Sequence, residues 1–508
     1  MTPVAAEGAV YPAAHTLHNA GDAKNENEAP MRMTRIVSLL VPALLTQACG
    51  DEPTTLDTAV VADSRAPTEV AFTTQPPVHV EGNVVISPAV QVTVRDASGN
   101  AVPHAVVRIA VDASPWGEAK LLGTTLVRAE NGVASFADLR IDRPGQGYTL
   151  RATSGSVSAA SAPFAVGLTF QAVDAGDFDT CGLTPGGAYC WGSWYAGADT
   201  VPHLIDGPAF VEISSGRFHT CGRTSAGAVY CWGFNQLGEL GDGTFTDRSV
   251  PVLVSGGLTF ASVSAGGFYT CGLVSSGAAY CWGGGGAGEL GNAADTNSAA
   301  PVAVAGGLTF RSLSAGLSHT CAVTAADQAY CWGSGFAGEL GNDAVPIGDT
   351  RNTPVTVSGG LSFSTVSAGF NISCGVSTSQ IGYCWGNGEG GVGDGKFQVE
   401  MTPAAVVDGL SFTAISAGRS HSCGLVTTAP GIQCWGANNT GQVGDGTTQP
   451  RLSAVLIDAG ATPSAITVAE THSCAMTASG LLCWGANDEG QIGDGTRVQR
   501  TVPTRVVQ

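Results

Sequence analysis

Fourteen of the fifteen cysteines in this chain fall into seven close pairs, and this spacing constrains the fold more than any other sequence feature. Successive pairs begin about 50 residues apart, although the first interval is nearer 40. A fixed period of this length marks a repeat architecture in which each period is one supersecondary unit. The pairs are Cys181 with Cys190, Cys221 with Cys231, Cys271 with Cys281, Cys321 with Cys331, Cys374 with Cys384, Cys423 with Cys434, and Cys474 with Cys483.

Each repeat has the pattern of four short strands. In the second repeat these are 210–216, 219–224, 228–232 and, after a long loop, 250–254. A lone four-stranded sheet cannot bury both of its faces, whereas a closed ring of such sheets can. The sequence therefore predicts an all-β chain with a seven-bladed β-propeller over residues 167–508.

The cysteine spacing also predicts a disulfide within each blade. The short turn Ser225-Ala226-Gly227 would place Cys221 and Cys231 opposite each other on antiparallel strands, at a distance that a disulfide can bridge. Zinc sites need more closely clustered cysteines, and redox enzymes use a C-x-x-C spacing. Reduced, buried cysteines remain the alternative, but a secreted chain would meet oxidising conditions.

The repeat core at 219–233, followed by the loop 235–243, resembles the regulator of chromosome condensation repeat family. A tryptophan closes the third strand of each repeat: Trp191, Trp232, Trp282, Trp332, Trp385, Trp435 and Trp484. The resemblance covers 167–508 and implies a propeller that recognises proteins, without fixing which protein. The first repeat departs from the family because it lacks the Asn-x-x-Gly-x-Leu-Gly loop.

The N-terminal region has the pattern of a targeting sequence. From Met31, two arginines precede an apolar run at 36–45, which is too short to span a bilayer and is typical of a secretory signal. The segment 45–49 resembles the lipobox of bacterial lipoproteins, although Thr46 stands where that family usually has Leu. We predict an upstream segment and signal over 1–48, lipidation of Cys49, and a flexible tether over 49–66. The protein would then lie at the bacterial outer membrane or cell surface, or be secreted.

Residues 67–166 show alternating strands separated by turns. The segments 96–103, 131–136 and 147–152 resemble bacterial immunoglobulin-like domains of invasin type. The resemblance implies a β-sandwich, which we interpret as a spacer that lifts the propeller from the membrane. A direct adhesive role is the alternative.

The charge of the chain limits its partners. The formal net charge is −19, and the propeller carries eleven Lys and Arg against twenty-five Asp and Glu. Nucleic acids and anionic membranes are bound mainly through Lys and Arg, so we expect neither, apart from membrane attachment through the lipid anchor. We expect a monomer that binds a protein or a glycan.

Strand alternation places the first-to-second and third-to-fourth connections of every blade on one face. The first-to-second loops are rich in aromatic residues and Arg, as binding hot spots are. The candidate binding residues are Asp177, Phe178, Arg217, Phe218, Phe268, Leu317, Phe370, Asn371 and Arg419. The alternative is that these side chains only plug the propeller channel.

No motif points to catalysis, a cofactor or a metal. His219, His319, His421 and His472 share one repeat position, but equivalent residues of different blades lie too far apart for one ion, so we expect packed histidines bonded to the backbone. Gly-Asp-Gly at 241–243, 393–395, 444–446 and 493–495 reads as a tight turn rather than a calcium loop. Two alternatives to a non-catalytic binding protein remain: exchange-factor activity on a small GTPase, and an enzyme with an active site at the channel mouth.

Overall fold

A computed structural model describes residues 65–508, except for 118, 195–196, 388–390, 408 and 428–430. Every regular element in this part of the chain is a β-strand, so the predicted all-β class is confirmed. None of the described residues forms a helix capable of crossing a membrane. The predicted signal over 1–48, Cys49 and most of the tether lie outside the described residues.

The first eleven strands form two main sheets around one core. They are β1 (Glu69–Thr74), β2 (His79–Glu81), β3 (Val90–Arg95), β4 (Val106–Ala113), β5 (Leu121–Leu122), β6 (Leu126–Arg128), β7 (Val133–Phe136), β8 (Arg140–Ile141), β9 (Gly145–Ser154), β10 (Val157–Ala160) and β11 (Phe164–Gly167). One sheet has the order β1-β3-β7 and the other β2-β11-β9-β4-β6. Val92 of the first sheet and Leu150 of the second are buried in the same cluster. The immunoglobulin-like assignment of this sandwich stays a prediction.

The remaining strands form seven four-stranded antiparallel sheets, each built from consecutive strands. The first four blades are β12 (Ala172–Ala175), β13 (Asp179–Thr184), β14 (Gly187–Trp194) and β15 (Gly197–Leu204); β16 (Phe210–Ser215), β17 (His219–Thr224), β18 (Val229–Gly233) and β19 (Arg248–Leu253); β20 (Phe260–Ala265), β21 (Tyr269–Val274), β22 (Ala279–Gly283) and β23 (Ser298–Ala303); β24 (Phe310–Ala315), β25 (His319–Thr324), β26 (Ala329–Gly335) and β27 (Asp349–Thr356). The last three are β28 (Phe363–Ala368), β29 (Ile372–Ser377), β30 (Gly382–Gly386) and β31 (Glu400–Ala405); β32 (Phe412–Ala417), β33 (His421–Val426), β34 (Gly431–Gly436) and β35 (Arg451–Ile457); β36 (Pro463–Val468), β37 (His472–Thr477), β38 (Gly480–Gly485) and β39 (Arg500–Arg505). The predicted seven blades are confirmed.

All seven predicted disulfides are formed, each between the second and third strands of its own blade. Cys221 stands directly opposite Cys231 in the strand register, and the two Cα atoms are 4.1 Å apart. So short a separation is that of an antiparallel pair that exchanges no backbone hydrogen bonds. The other six bonds join Cys181 to Cys190, Cys271 to Cys281, Cys321 to Cys331, Cys374 to Cys384, Cys423 to Cys434, and Cys474 to Cys483. Seven structural disulfides indicate that the chain folds in an oxidising environment.

Hydrogen bonds between neighbouring innermost strands close the ring. The Ser214 hydroxyl oxygen accepts the Ala265 N–H at 3.0 Å, and similar contacts recur around the ring. Between the last and first blades, Ala175 N–H donates to Thr467 Oγ1 at 3.2 Å, and that hydroxyl donates to Asp174 Oδ1 at 2.9 Å. Each blade keeps its own four strands, so the ring closes by contacts between complete blades and not by a strand shared between the two ends of the propeller.

A second set of contacts, made by loops, joins neighbouring blades. In blades two to seven, the loop between the third and fourth strands folds against the next blade, and we call it the clasp loop. In the second blade it spans 234–247, and Leu240 packs with Phe260 and Trp282 of the third blade. The corresponding buried side chains are Leu240, Leu290, Leu340, Val392, Val443 and Ile492. The first blade has no clasp loop, because only 195–196 separate β14 from β15.

The sandwich contacts the first blade directly. Asn83 Nδ2 donates to the Gly186 carbonyl at 2.6 Å, and Arg143 lies 3.6 Å from Asp199. The Arg143 side chain is only 9% exposed, so this ion pair is largely shielded from water. These contacts attach the sandwich to the turn between the second and third strands of blade one and to its fourth strand.

Candidate binding face

The long loops lie on one face, as strand alternation requires. The Phe234 N–H, at the start of a clasp loop, donates to the carbonyl of Phe218 in the first-to-second loop at 3.0 Å. The tight turn containing Gly227 lies at the other end of the strands, where its carbonyl accepts the Phe260 N–H. The candidate residues therefore share the face opposite the tight turns.

Each first-to-second loop places one residue at the channel mouth. A glycine usually precedes it because the innermost strands converge there: a Cβ on Gly216 would lie 2.2 Å from the Gly266 oxygen. The same carbonyl accepts the Arg217 N–H at 3.2 Å, which holds the loop in place. We call the seven residues the mouth ring: Asp177, Arg217, Gly267, Leu317, Phe370, Arg419 and Glu470.

The mouth ring neutralises its own charges. Arg217 lies 3.8 Å from both Asp177 and Glu470, and Arg419 pairs with Glu470. The Arg419 guanidinium carbon is 4.6 Å from the centroid of the Phe370 ring, and that of Arg217 is 5.9 Å from it. These cation–π and ionic contacts tie loops of five different blades together across the channel.

The ionisation of Asp177 reflects its crowded position. Burial, together with the neighbouring Glu470 carboxylate, raises the pKa of Asp177 to about 7, against the opposing effect of Arg217 and Arg419. Sequence reasoning missed Glu470, although it occupies in 468–472 the same repeat position as Arg419 in the sixth blade. Binding hot spots are rich in aromatic residues and Arg. A prediction based on that composition does not select Glu470, the acidic residue that pairs with both arginines.

The mouth ring is a plug rather than a pocket. Its cavity measures about 90 Å³, whereas small-molecule sites usually enclose about 300–1,000 Å³. Just below it, the Asp174 carboxylate accepts hydrogen bonds from the Ser215 N–H and the Thr467 hydroxyl, both at 2.9 Å. Asp177 faces Arg217, and Asp174 bonds to residues of two other blades, so these carboxylates take part in contacts between blades.

The three phenylalanines that follow mouth-ring residues in blades one to three form a separate feature. Phe218 stacks on Phe178 at a centroid distance of 5.4 Å, and lies 5.6 Å from Phe268 and 6.0 Å from Phe234. It remains 38% exposed. We call these four rings the aromatic patch. Asn371, predicted with them, belongs to the fifth blade, whereas Phe234 was missed because it follows a third strand rather than lying in a first-to-second loop.

The four equivalent histidines are buried, but their partner differs from the expected one. His219 Nε2 lies 2.7 Å from the Thr270 hydroxyl of the next blade, and His319, His421 and His472 make the same contact with a Ser or Thr. The expectation of backbone bonding was therefore wrong: these histidines join adjacent blades through side chains. Burial lowers the pKa of His219 to about 3, so the imidazole is neutral.

The Gly-Asp-Gly segments form tight turns, as expected. Asp242 Oδ1 accepts the N–H and the hydroxyl of Thr244, and Oδ2 accepts from Arg248 at 3.0 Å. Burial acts to raise the pKa of Asp242, but these donors bring it below its usual value. Asp445 and Asp494 repeat the arrangement. Over the described ranges, no group of three or more His, Cys, Asp and Glu residues is arranged to hold a metal ion.

Comparison with known proteins agrees with this architecture. The family model of the regulator of chromosome condensation (RCC1) repeat matches residues 226–273, 276–323 and 478–508, and a second model of the same repeat matches 210–239, 260–289 and 310–339. None of the curated proteins compared with the chain matches it.

Among solved structures, yeast RCC1 (Prp20) bound to Kap60 superposes with a TM-score of 0.55 at 20% identity, covering 63% of this chain and 83% of that one. Prp20p from Saccharomyces cerevisiae, described with its binding properties to Gsp1p and histones, gives 0.55 at 20% identity, covering 67% and 87%. Human WBSCR16 gives 0.55 at 16% identity, covering 64% and 92%. At these identities the likeness establishes the fold.

Proposed function

We propose that this propeller of regulator of chromosome condensation repeats is a non-catalytic binding module, and that it docks a protein partner on the aromatic patch. Propellers of this repeat type generally mediate protein binding, and Prp20 is seen in complex with Kap60. The observation that carries the proposal is the partly exposed Phe218, surrounded by three other phenylalanine rings on the loop face.

The patch has the character of an interface centre. Aromatic rings dominate interface energies when a partner excludes water from them, and polar surroundings then seal the rim. The Arg217 guanidinium carbon lies 5.2 Å from the Phe218 ring centroid, so a charged group borders the apolar centre. The mouth ring supports the patch from the side by fixing Arg217 between two carboxylates.

Truncating Phe218 tests this proposal. We expect Phe218→Ala to weaken binding of the partner by at least about 1–2 kcal/mol, which is roughly a 5- to 30-fold loss of affinity, because a central aromatic anchor is removed. The wild-type and variant chains would be immobilised and exposed to cell-surface proteins, and the captured proteins quantified and then titrated individually. Folding should survive, since the ring is 38% exposed.

Two controls accompany this variant. Phe397→Ala removes a 66% exposed phenylalanine from the fifth blade, and Ser225→Ala changes an exposed turn on the opposite face. Both should retain the partner. If Phe218→Ala lowers the melting temperature and leaves binding unchanged, the aromatic patch is structural and the proposal is wrong. The sequence left a glycan open as the other class of partner. If a glycan is captured instead of a protein, we would assign the same surface to glycan binding.

We also propose that the protein is exported and held at a membrane by a lipid. The seven disulfides call for an oxidising compartment, and the signal-like segment 31–48 followed by Cys49 supports attachment to the bacterial outer membrane or cell surface through a lipid. We expect Cys49→Ala to move the protein from the membrane fraction to the soluble fraction on cell fractionation, while Cys49→Ala and wild type melt alike. Unchanged membrane retention would contradict lipidation at this residue.

Exchange-factor activity receives no support from the described residues. An oxidising compartment does not hold a GTPase cycle, and the strongly acidic propeller is unsuited to chromatin. We therefore keep the binding module as the function, acting as a monomer.

A further inference from the structure

Six of the seven blade interfaces share one polar contact. A carbonyl of the clasp loop accepts the hydroxyl of the Thr or Ser that immediately precedes the first cysteine of the next blade, as Thr270 donates to the Glu239 oxygen at 2.9 Å. The same contact is made by Thr180, Thr320, Ser373, Ser422 and Ser473. At five interfaces that carbonyl also accepts the tryptophan indole N–H: Trp191, Trp332, Trp385, Trp435 and Trp484.

The interface between blades one and two is the exception, because the first blade has no clasp loop. Thr220 and Trp232 occupy the two donor positions there. Toward the first blade, the nearest oxygen acceptor of the Thr220 hydroxyl is Asp179 Oδ2, at 3.4 Å. Trp232 is 3% exposed and no clasp carbonyl among the described residues meets its indole N–H, as is also the case for Trp282 in the third blade. This interface therefore lacks the carbonyl that serves the equivalent Thr and Ser hydroxyls elsewhere.

The apolar part of the clasp is missing as well. Each of the other interfaces buries an aliphatic clasp side chain against the next tryptophan, as Leu240 does against Trp282. The cluster around Trp232 contains Ile205 and Ile213 but no clasp residue among the described ones. Among the described residues, a cavity of about 200 Å³ lies in its place, and its walls include Phe178, Phe218, Phe234, Thr220 and Trp232. A cavity of about 150 Å³ already admits benzene.

We propose that this cleft binds a peptide segment of a protein partner, which supplies from outside the clasp that blade one lacks. A backbone carbonyl of the segment would accept from Thr220 and Trp232, and its next side chain, an aliphatic one, would fill the cavity. The inference rests on the proposed function, because three walls of the cleft, Phe178, Phe218 and Phe234, belong to the aromatic patch.

The six clasp loops of the chain itself define the segment. The aliphatic residue is preceded by Glu, Gly or Gln and followed each time by a glycine with positive φ, from 62° at Gly291 to 88° at Gly444. A Cβ on Gly241 would lie 2.7 Å from Trp282 Nε1, so the tryptophan also excludes a side chain there. The expected recognition sequence is therefore Gly, a polar or small residue, an aliphatic residue and a second Gly.

A synthetic peptide with the sequence of residues 235–243 is the probe. Added to the full chain, it should bind with a dissociation constant no weaker than about 1 mM, measured by saturation of indole fluorescence or NMR shifts. Peptides carrying Leu240→Asp or Gly241→Ala should bind at least about tenfold more weakly. Absence of saturation by the native sequence at millimolar concentration, or equal binding of all three peptides, overturns the inference.

A matched pair of protein variants locates the site. Thr220→Val removes the hydroxyl that the segment would engage in place of Asp179, and it should weaken the peptide by roughly 2- to 10-fold, the value of one hydrogen bond. Ser373→Ala breaks an occupied clasp contact at an interface whose residues do not line the cleft, so it should lower the melting temperature and leave the peptide affinity unchanged. If Thr220→Val leaves the affinity for the peptide unchanged, the peptide binds elsewhere and the inference is wrong.

The proposed function and the peptide site can be disproved independently of each other. If Phe218→Ala releases the protein partner but the peptide does not bind, the cleft is not a clasp site and the proposed function stands. If the peptide binds as described but Phe218→Ala retains every captured protein, the cleft stands and the aromatic patch is not the docking centre.

Discussion

Gly369→Ala should destabilise the protein by about 3 kcal/mol, because the added methyl group has no room. A Cβ at this position would lie 2.0 Å from the carbonyl oxygen of Gly418 in the next blade. That carbonyl cannot move away freely, since it accepts the Phe370 N–H at 3.0 Å. The obstacle is backbone rather than a flexible side chain, so relief requires two innermost strands to separate. The expected result is a melting temperature lowered by several degrees under non-reducing conditions.

Gly286→Ala is the matched control. This glycine is exposed, has no positive φ and would place its Cβ in open space. The substitution should be neutral or slightly stabilising, because alanine loses less backbone entropy on folding. Equal melting temperatures for both variants would show that the innermost strands can separate at no cost.

The seventh blade shows how the fold accommodates an exception. It carries Ala469 where the other six blades have glycine. Its mouth residue Glu470 pairs through its side chain with Arg217 of the second blade and Arg419 of the sixth. Alanine at this position is therefore accompanied by a different contact at the mouth.

The fold was predictable because its determinants are local and repeated. Cysteines nine to eleven residues apart specify a hairpin, and the period of the pairs sets the number of blades. Alternation along the strands then places the long loops on one face. None of these steps needs knowledge of contacts between blades.

The site was only partly predictable because it depends on such contacts. The sequence showed that the first repeat lacks the clasp loop, but the consequence, a cleft beside Trp232, appears only when the blades are packed. In the same way, Glu470 and Arg217 are far apart in the sequence and meet across the channel. The histidines were wrongly assigned to backbone partners because their hydroxyl partners lie one blade further along, 51 residues away for His219.

Closure of the ring depends on the last clasp loop. Ile492 is fully buried between the seventh and first blades, and the preceding carbonyl, that of Gln491, accepts both the Trp191 indole N–H and the Thr180 hydroxyl at 2.9 Å. Each of these two blades is built from its own four strands, so loss of the clasp side chain weakens the junction at which the two ends of the propeller meet. We expect Ile492→Ala to cost about 2–5 kcal/mol, as large truncations in a core usually do.

Leu290→Ala is the control that separates closure from ordinary packing, because Leu290 is equally buried in the clasp between blades three and four. The two variants should lose similar stability to denaturant but differ in hydrogen exchange. Ile492→Ala should speed exchange of the Thr180 and His472 amides on either side of the junction, because the ends part before the rest unfolds. Leu290→Ala should instead speed exchange at Thr320 while leaving the junction protected. If both variants accelerate exchange evenly around the ring, the seven blades open as one cooperative unit, and the junction between the first and last blades is no weaker than the others.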